Sequence, residues 1–138
     1  MQQTVMINTH PQDAYRRQDI LTANSIDLIV MLYDALKKNL ILGRRGIEKS
    51  NIQSAHDHLI KAQEIVTALI SCLDMTYQIS EDLLSLYEFI LNSAGEANAH
   101  KDAAPIAPLI EIVDSLRSAW DEIRTSAKGN MYLSEEQA

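Results

Sequence analysis

Four stretches of this chain place apolar residues in alternating steps of three and four, and that spacing constrains the fold more than any other feature. Steps of three and four collect side chains on one face of an α-helix, whereas a half-buried strand would alternate in twos. The second stretch carries Ile52, Ala55, Leu59, Ala62, Val66, Leu69 and Leu73. The third carries Leu83, Tyr87, Ile90, Ala94 and Ala97, and the fourth Ile106, Leu109, Val113, Leu116, Trp120 and Ile123. The first is denser, and its run LIVMLYD at 28–34 has apolar groups in nearly every direction.

Cap residues bound these stretches. Asn24 can cap the first helix, Asp27 adds charge near its positive end, and Gly46 supplies a stop after about Arg45. Ser50 with Gln53 reads as a capping box for a second helix from about Asn51 to Leu73. Ser80 is placed to cap the third, and Pro105 suits the first turn of the fourth. Short connections make successive helices antiparallel neighbours. The expected fold is therefore all-α, an antiparallel up-down four-helix bundle with a loosely docked N-terminal segment. Residues 1–13, polar and containing Pro11, read as a flexible N-terminus; 14–127 form the bundle domain, including a mobile segment 14–23; and 128–138 read as a flexible tail.

Composition narrows the function. A net charge of −7 argues against a nucleic-acid binder, which needs a basic face to displace counterions from phosphates. The single cysteine, Cys72, cannot close an internal disulfide, and the opening MQQTVMINTHPQ has no apolar signal core. No stretch has the length to span a bilayer, so membrane insertion is not expected. These features point to a cytoplasmic protein.

At 100° per residue the first helix resolves into two adjacent apolar rows. Leu28, Leu32, Ala35 and Leu42 lie together, with Met31 at their edge; Ile29, Tyr33, Leu36 and Leu40 form the row beside them. Asp34, Lys37 and Lys38 mark the wet side. A bundle needs one broad inward face per helix. The second row is expected to be surplus, covered either by the 14–21 segment or by an amphipathic helix of a partner. Left uncovered, it offers a route to a weak homodimer.

Signals for catalysis are sparse. His58 and Lys61 share a helix face, the arrangement of a histidine phosphotransfer bundle, but Ala62 stands where such domains carry glycine and Asp57 would repel phosphate. His56 and His58 point to different sides of a helix, and Glu96 with His100 lacks the second carboxylate–histidine pair of a di-iron bundle. There is no glycine-rich phosphate loop and no cysteine cluster, and Cys72 reads as a core-edge residue. No enzyme, metal or cofactor is expected. A phosphotransfer bundle and a helical adaptor for another client stay open on the residues alone.

The chain resembles the flagellin-specific export chaperones, the FliS family. AY at 14 and 15 is followed by TANSIDLIVMLYDAL, similar to the family's T-A-S-P-x-x-L-I-x-M-L-Y-D-G. DHLIKAQEIV, LLSLYEFI, EANAHKD and LRSAW follow in the family's order, so the resemblance runs from about Ala14 to Ile123. Asn24-Ser25 replaces the usual Ser-Pro, Ala35 a glycine, and Asn92-Ser93 a common basic pair. The resemblance implies a cytosolic chaperone that binds the disordered C-terminal segment of flagellin, prevents premature polymerisation and delivers it to a component of the type III export gate. It implies no nucleotide or metal. Tyr15 and Ile20 would belong to a movable N-terminal segment at the client site, while Ile29, Tyr33, Leu36 and Leu40, from their angular position on the first helix, are expected as groove walls.

Overall fold

The computed structural model describes residues 23–137, with side chains over 26–126. Its elements are α1 (Ala23–Glu48), α2 (Ile52–Ser71), α3 (Ile79–His100) and α4 (Ile106–Gln137). They divide into two compact units, one reaching Val30 and resuming at Ser118, the other spanning Met31–Arg117.

The Met31–Arg117 unit holds parts of all four helices and is the four-helix bundle. Its contacts run in opposite directions along neighbours. Asn39 of α1 meets His58 of α2, and Gly46 meets Ala55. Lys37 and Asp34 of α1 pair with Asp114 and Arg117 of α4, at 2.8 and 2.6 Å. His56 of α2 meets Asn98 of α3. The core consists of Tyr33, Leu36 and Leu40 from α1, Leu59, Val66 and Leu69 from α2, Tyr87 and Ile90 from α3, and Ile106, Leu109 and Val113 from α4. Alanines at 55, 62, 94 and 97 are also buried, and small side chains there let the helices approach closely. Each large aliphatic group taken from water contributes roughly 1.5–3 kcal/mol.

In the other unit, Arg124 of α4 donates to Asp27 of α1 at 3.1 Å and also to Asp121. These hydrogen bonds, that to Asp27 foremost, raise the pKa of the guanidinium and keep it charged.

The helix ends depart from expectation in three places. Gly46 does not stop α1; it lies inside the helix, and the chain turns at Ser50, with φ of 58°. The Asn51 amide donates to the Gly46 carbonyl at 2.7 Å and the Ser50 amide to Ile47 at 3.0 Å, the double closure usual for a left-handed helix end. Ser50 is therefore no cap for α2. Asn51 is, its side chain accepting from the Ser54 amide at 3.2 Å. Ser80 does not cap α3 either: it is buried in the first turn and donates to the Asp74 carbonyl at 2.6 Å. That bond ties α3 to the preceding loop, where Asp74 also accepts from the Thr76 amide and hydroxyl. Lys101 closes α3 in the left-handed region, as Ser50 does α1.

Candidate functional site

On α1 the two apolar rows stand the other way round from the angular expectation. Tyr33, Leu36 and Leu40 have no exposed surface and form the heart of the bundle. They face the chain's own interior and present no open groove wall in this structure. Met31, from the row expected to be inward, is 65% exposed, and Leu32, Ala35 and Leu42 are half-buried beside it. In the other unit, Ile29 is half-buried, Leu28 exposed and Ile123 of α4 exposed. Tyr15 and Ile20 lie outside the described residues.

Two glycines determine which row turns inward. A Cβ on Gly43 would come 2.6 Å from Leu59 Cδ2, and one on Gly46 would come 2.7 Å from the Ala55 amide nitrogen. α1 thus presses its glycine edge against α2, and Asp34 and Lys37 hold its other flank to α4. The row between those flanks is Tyr33, Leu36, Leu40. In the sequence the difference between the rows is slight: Tyr33, Leu36, Leu40 and Gly43 run without a polar break, whereas the Leu32–Ala35 row meets Asn39 before reaching Leu42, and this alone does not fix the rotation.

Asn39 and His58 complete the α1–α2 contact. The Asn39 amide nitrogen donates to the Ala35 carbonyl at 2.8 Å, and its oxygen lies 3.0 Å from His58 Nδ1. His58 is half-buried and engaged with Asn39, and Lys61 lies 3.9 Å from Glu64. At the opposite edge of α2, the buried Asn98 side chain donates to His56 Nδ1 at 3.2 Å and accepts from Lys101 Nζ at 2.8 Å. Asp102 accepts from the Ala104 amide just before α4. Among the described residues no three His, Cys, Asp or Glu side chains converge as metal ligands, and no helix is long and apolar enough to cross a membrane.

Inside the bundle the Tyr33 and Tyr87 hydroxyls hydrogen-bond each other, their rings tilted with centroids 6.4 Å apart. Burial pushes the Tyr87 phenol above the usual tyrosine range, against an opposing effect of the Tyr33 hydrogen bond. Cys72 is exposed at the surface, and partial desolvation raises its thiol above the usual range. Because the folded state holds the Tyr87 proton more tightly than the unfolded chain, this group's stabilisation is complete below about pH 10 and declines as pH rises above it. A urea-midpoint series from pH 8 upward is expected to show that alkaline decline, and Tyr87→Phe to flatten the part above about pH 10.

The full length of the bundle has relatives. The family model described as "Flagellar protein FliS" matches residues 6–127. The chain belongs to the FliS family. It is similar to the flagellar secretion chaperone FliS of Vibrio cholerae, 34% identical over 80% of this chain and 85% of the relative. It is also similar to the Bacillus subtilis protein of that name, 27% identical over 89% of this chain and 92% of the relative. The Salmonella typhimurium protein of that name is 26% identical over 78% of this chain and 82% of the relative. FliS is a family of chaperones, not of enzymes.

Proposed function

We propose that this FliS chain binds the disordered C-terminal segment of flagellin in the bacterial cytosol, keeps it from polymerising, and hands it to the type III export gate. The observation that carries the reading is the outward row of α1: Met31 exposed, flanked by half-buried Leu32, Ala35 and Leu42, on a helix whose inward face is already filled. An apolar row beside a completed core is a surface that an amphipathic client can cover. Flagellin's terminal segment is amphipathic because it forms helices in the filament, so it can lay an apolar stripe on this row. Ordering a disordered client costs on the order of 2–5 kcal/mol, which keeps such a complex releasable. Tyr33, Leu36 and Leu40 lie buried on the inward face, which leaves the Met31 row on the outside.

The test is fluorescence anisotropy with a labelled flagellin C-terminal peptide. The double variant Met31→Glu, Ala35→Glu is expected to bind about 10–100-fold more weakly, a loss of about 1.4–2.8 kcal/mol, with its thermal midpoint nearly unchanged. Unchanged affinity in a folded variant would move the client to another face.

A further inference from the structure

A second surface lies between α2 and α3. Ile60, Gln63, Glu64, Thr67 and Leu91 line an open depression of about 360 Å³. α2 meets α1 through other residues, Ala55, His58 and Leu59, so this depression is not part of the α1 row. From Ile60 to Thr67 it extends two helical turns, about 10 Å. Its apolar lining, Ile60 and Leu91, is half-buried, while Glu64 is exposed.

Gly95, one turn beyond Leu91, is the second observation. Gly43 and Gly46 are required by packing, but a Cβ on Gly95 would meet nothing nearer than Gln63 Oε1 at 3.7 Å, an ordinary contact. A glycine inside a helix is destabilising relative to alanine, and no internal contact here explains it. Its effect is to leave the end of the depression open beside Gln63. Charge supplies the third. α3 carries Glu81, Asp82, Glu88 and Glu96 and has neither Lys nor Arg between Ile79 and His100. Glu88 is exposed one turn before Leu91. Glu64 meets Lys61 at only 3.9 Å, both well exposed, a contact that leaves its carboxylate available.

We propose that the α2–α3 groove is a docking surface for a short amphipathic helix of a second protein, its apolar ridge edged by Lys or Arg. The apolar floor takes the ridge, Gly95 admits a side chain or close backbone, and Glu64 and Glu88 select the basic edge and speed encounter. The chain can then hold its client on α1 while engaging a partner on the opposite flank of α2.

The probe is a fluorescein-labelled helical peptide with a leucine ridge at i, i+4 and lysine edges, compared with a glutamate-edged counterpart. The lysine-edged peptide is expected to bind wild-type protein at least about tenfold more tightly, and Glu64→Lys with Glu88→Lys to reverse the preference. Gly95→Leu is expected to weaken it about tenfold while flagellin-peptide binding stays unchanged. Gly95→Ala guards against misfolding: its thermal midpoint is expected to rise by about 2–4 °C while lysine-edged binding falls. Equal binding of both peptides, or indifference to Gly95→Leu and Gly95→Ala, would overturn the proposal. Loss of the flagellin peptide in Gly95→Leu would overturn it too, by making the groove part of the client site.

Discussion

Replacing Tyr33 with alanine is expected to destabilise the protein by about 3–5 kcal/mol, the cost of emptying a buried aromatic site. Tyr33 has no exposed surface, stands among Leu36, Leu40 and Ile90 in the buried set, and shares a hydrogen bond with Tyr87. Since a domain of this kind has about 5–15 kcal/mol in total, the variant should sit near or past its folding threshold at 37 °C. Urea unfolding followed by circular dichroism measures the loss directly. Tyr33→Phe separates ring from hydroxyl: it keeps the packing but leaves the buried Tyr87 oxygen without this partner, and is expected to cost about 1–3 kcal/mol. Met31→Ala, on the neighbouring row, is expected to change stability by less than about 0.5 kcal/mol because its side chain is largely in water. If Met31→Ala unfolds the chain and Tyr33→Ala does not, the burial of α1 described above is wrong.

Gly46→Ala is the second large effect, and its sign runs against helix propensity. In an isolated helix the change would stabilise by about 1 kcal/mol. Here the new methyl would stand 2.7 Å from the Ala55 amide nitrogen and 2.9 Å from its Cα. Both are backbone atoms at the start of α2, so relief requires the two helices to separate rather than a side chain to rotate. Overpacking of this kind costs about 1–3 kcal/mol, and the upper part of that range exceeds the propensity gain. The expected net loss is about 1–2 kcal/mol, read as a fall of roughly 2–8 °C in thermal midpoint. Gly43→Ala should be milder, because there the obstacle is the end of the Leu59 side chain, which can rotate. The opposite sign expected at Gly95 provides an internal comparison, since all three glycines occupy helix interiors.

Much of the fold was legible because periodicity is local. The stripes on α2, α3 and α4 bury most of the residues that three–four spacing selects, including Leu59, Val66, Tyr87, Ile90, Leu109 and Val113, while Ile52 is exposed, and Leu83 and Leu73, the latter beyond the end of α2, are half-buried. The stripe on α4 weakens towards its end, where Trp120 is half-buried and Ile123 exposed. Helix ends were less legible, because a cap depends on which of several neighbouring polar residues reaches a free amide. Ser50 and Ser80 were the expected caps, but the turn geometry places Asn51 at the start of α2 and leaves α3 without a side-chain cap. His56 and His58 illustrate the same limit. Their spacing sends them to different sides of α2, but only the neighbours reveal that one side holds Asn98 and the other Asn39.

The sequence by itself determined the number of helices, their antiparallel order, the family, and the presence of more apolar surface on α1 than one face requires. All of these follow from residue spacing along single segments. Only the tertiary structure decided which apolar row of α1 is core. Two adjacent rows on one helix differ by a modest rotation, and rotation is not encoded in the helix's own periodicity. It is set by what the flanks can touch: Gly43 and Gly46 admit α2 at backbone distance, and Asp34 and Lys37 reach Arg117 and Asp114 on α4. With both flanks held, Tyr33, Leu36 and Leu40 turn inward and Met31 is left facing water.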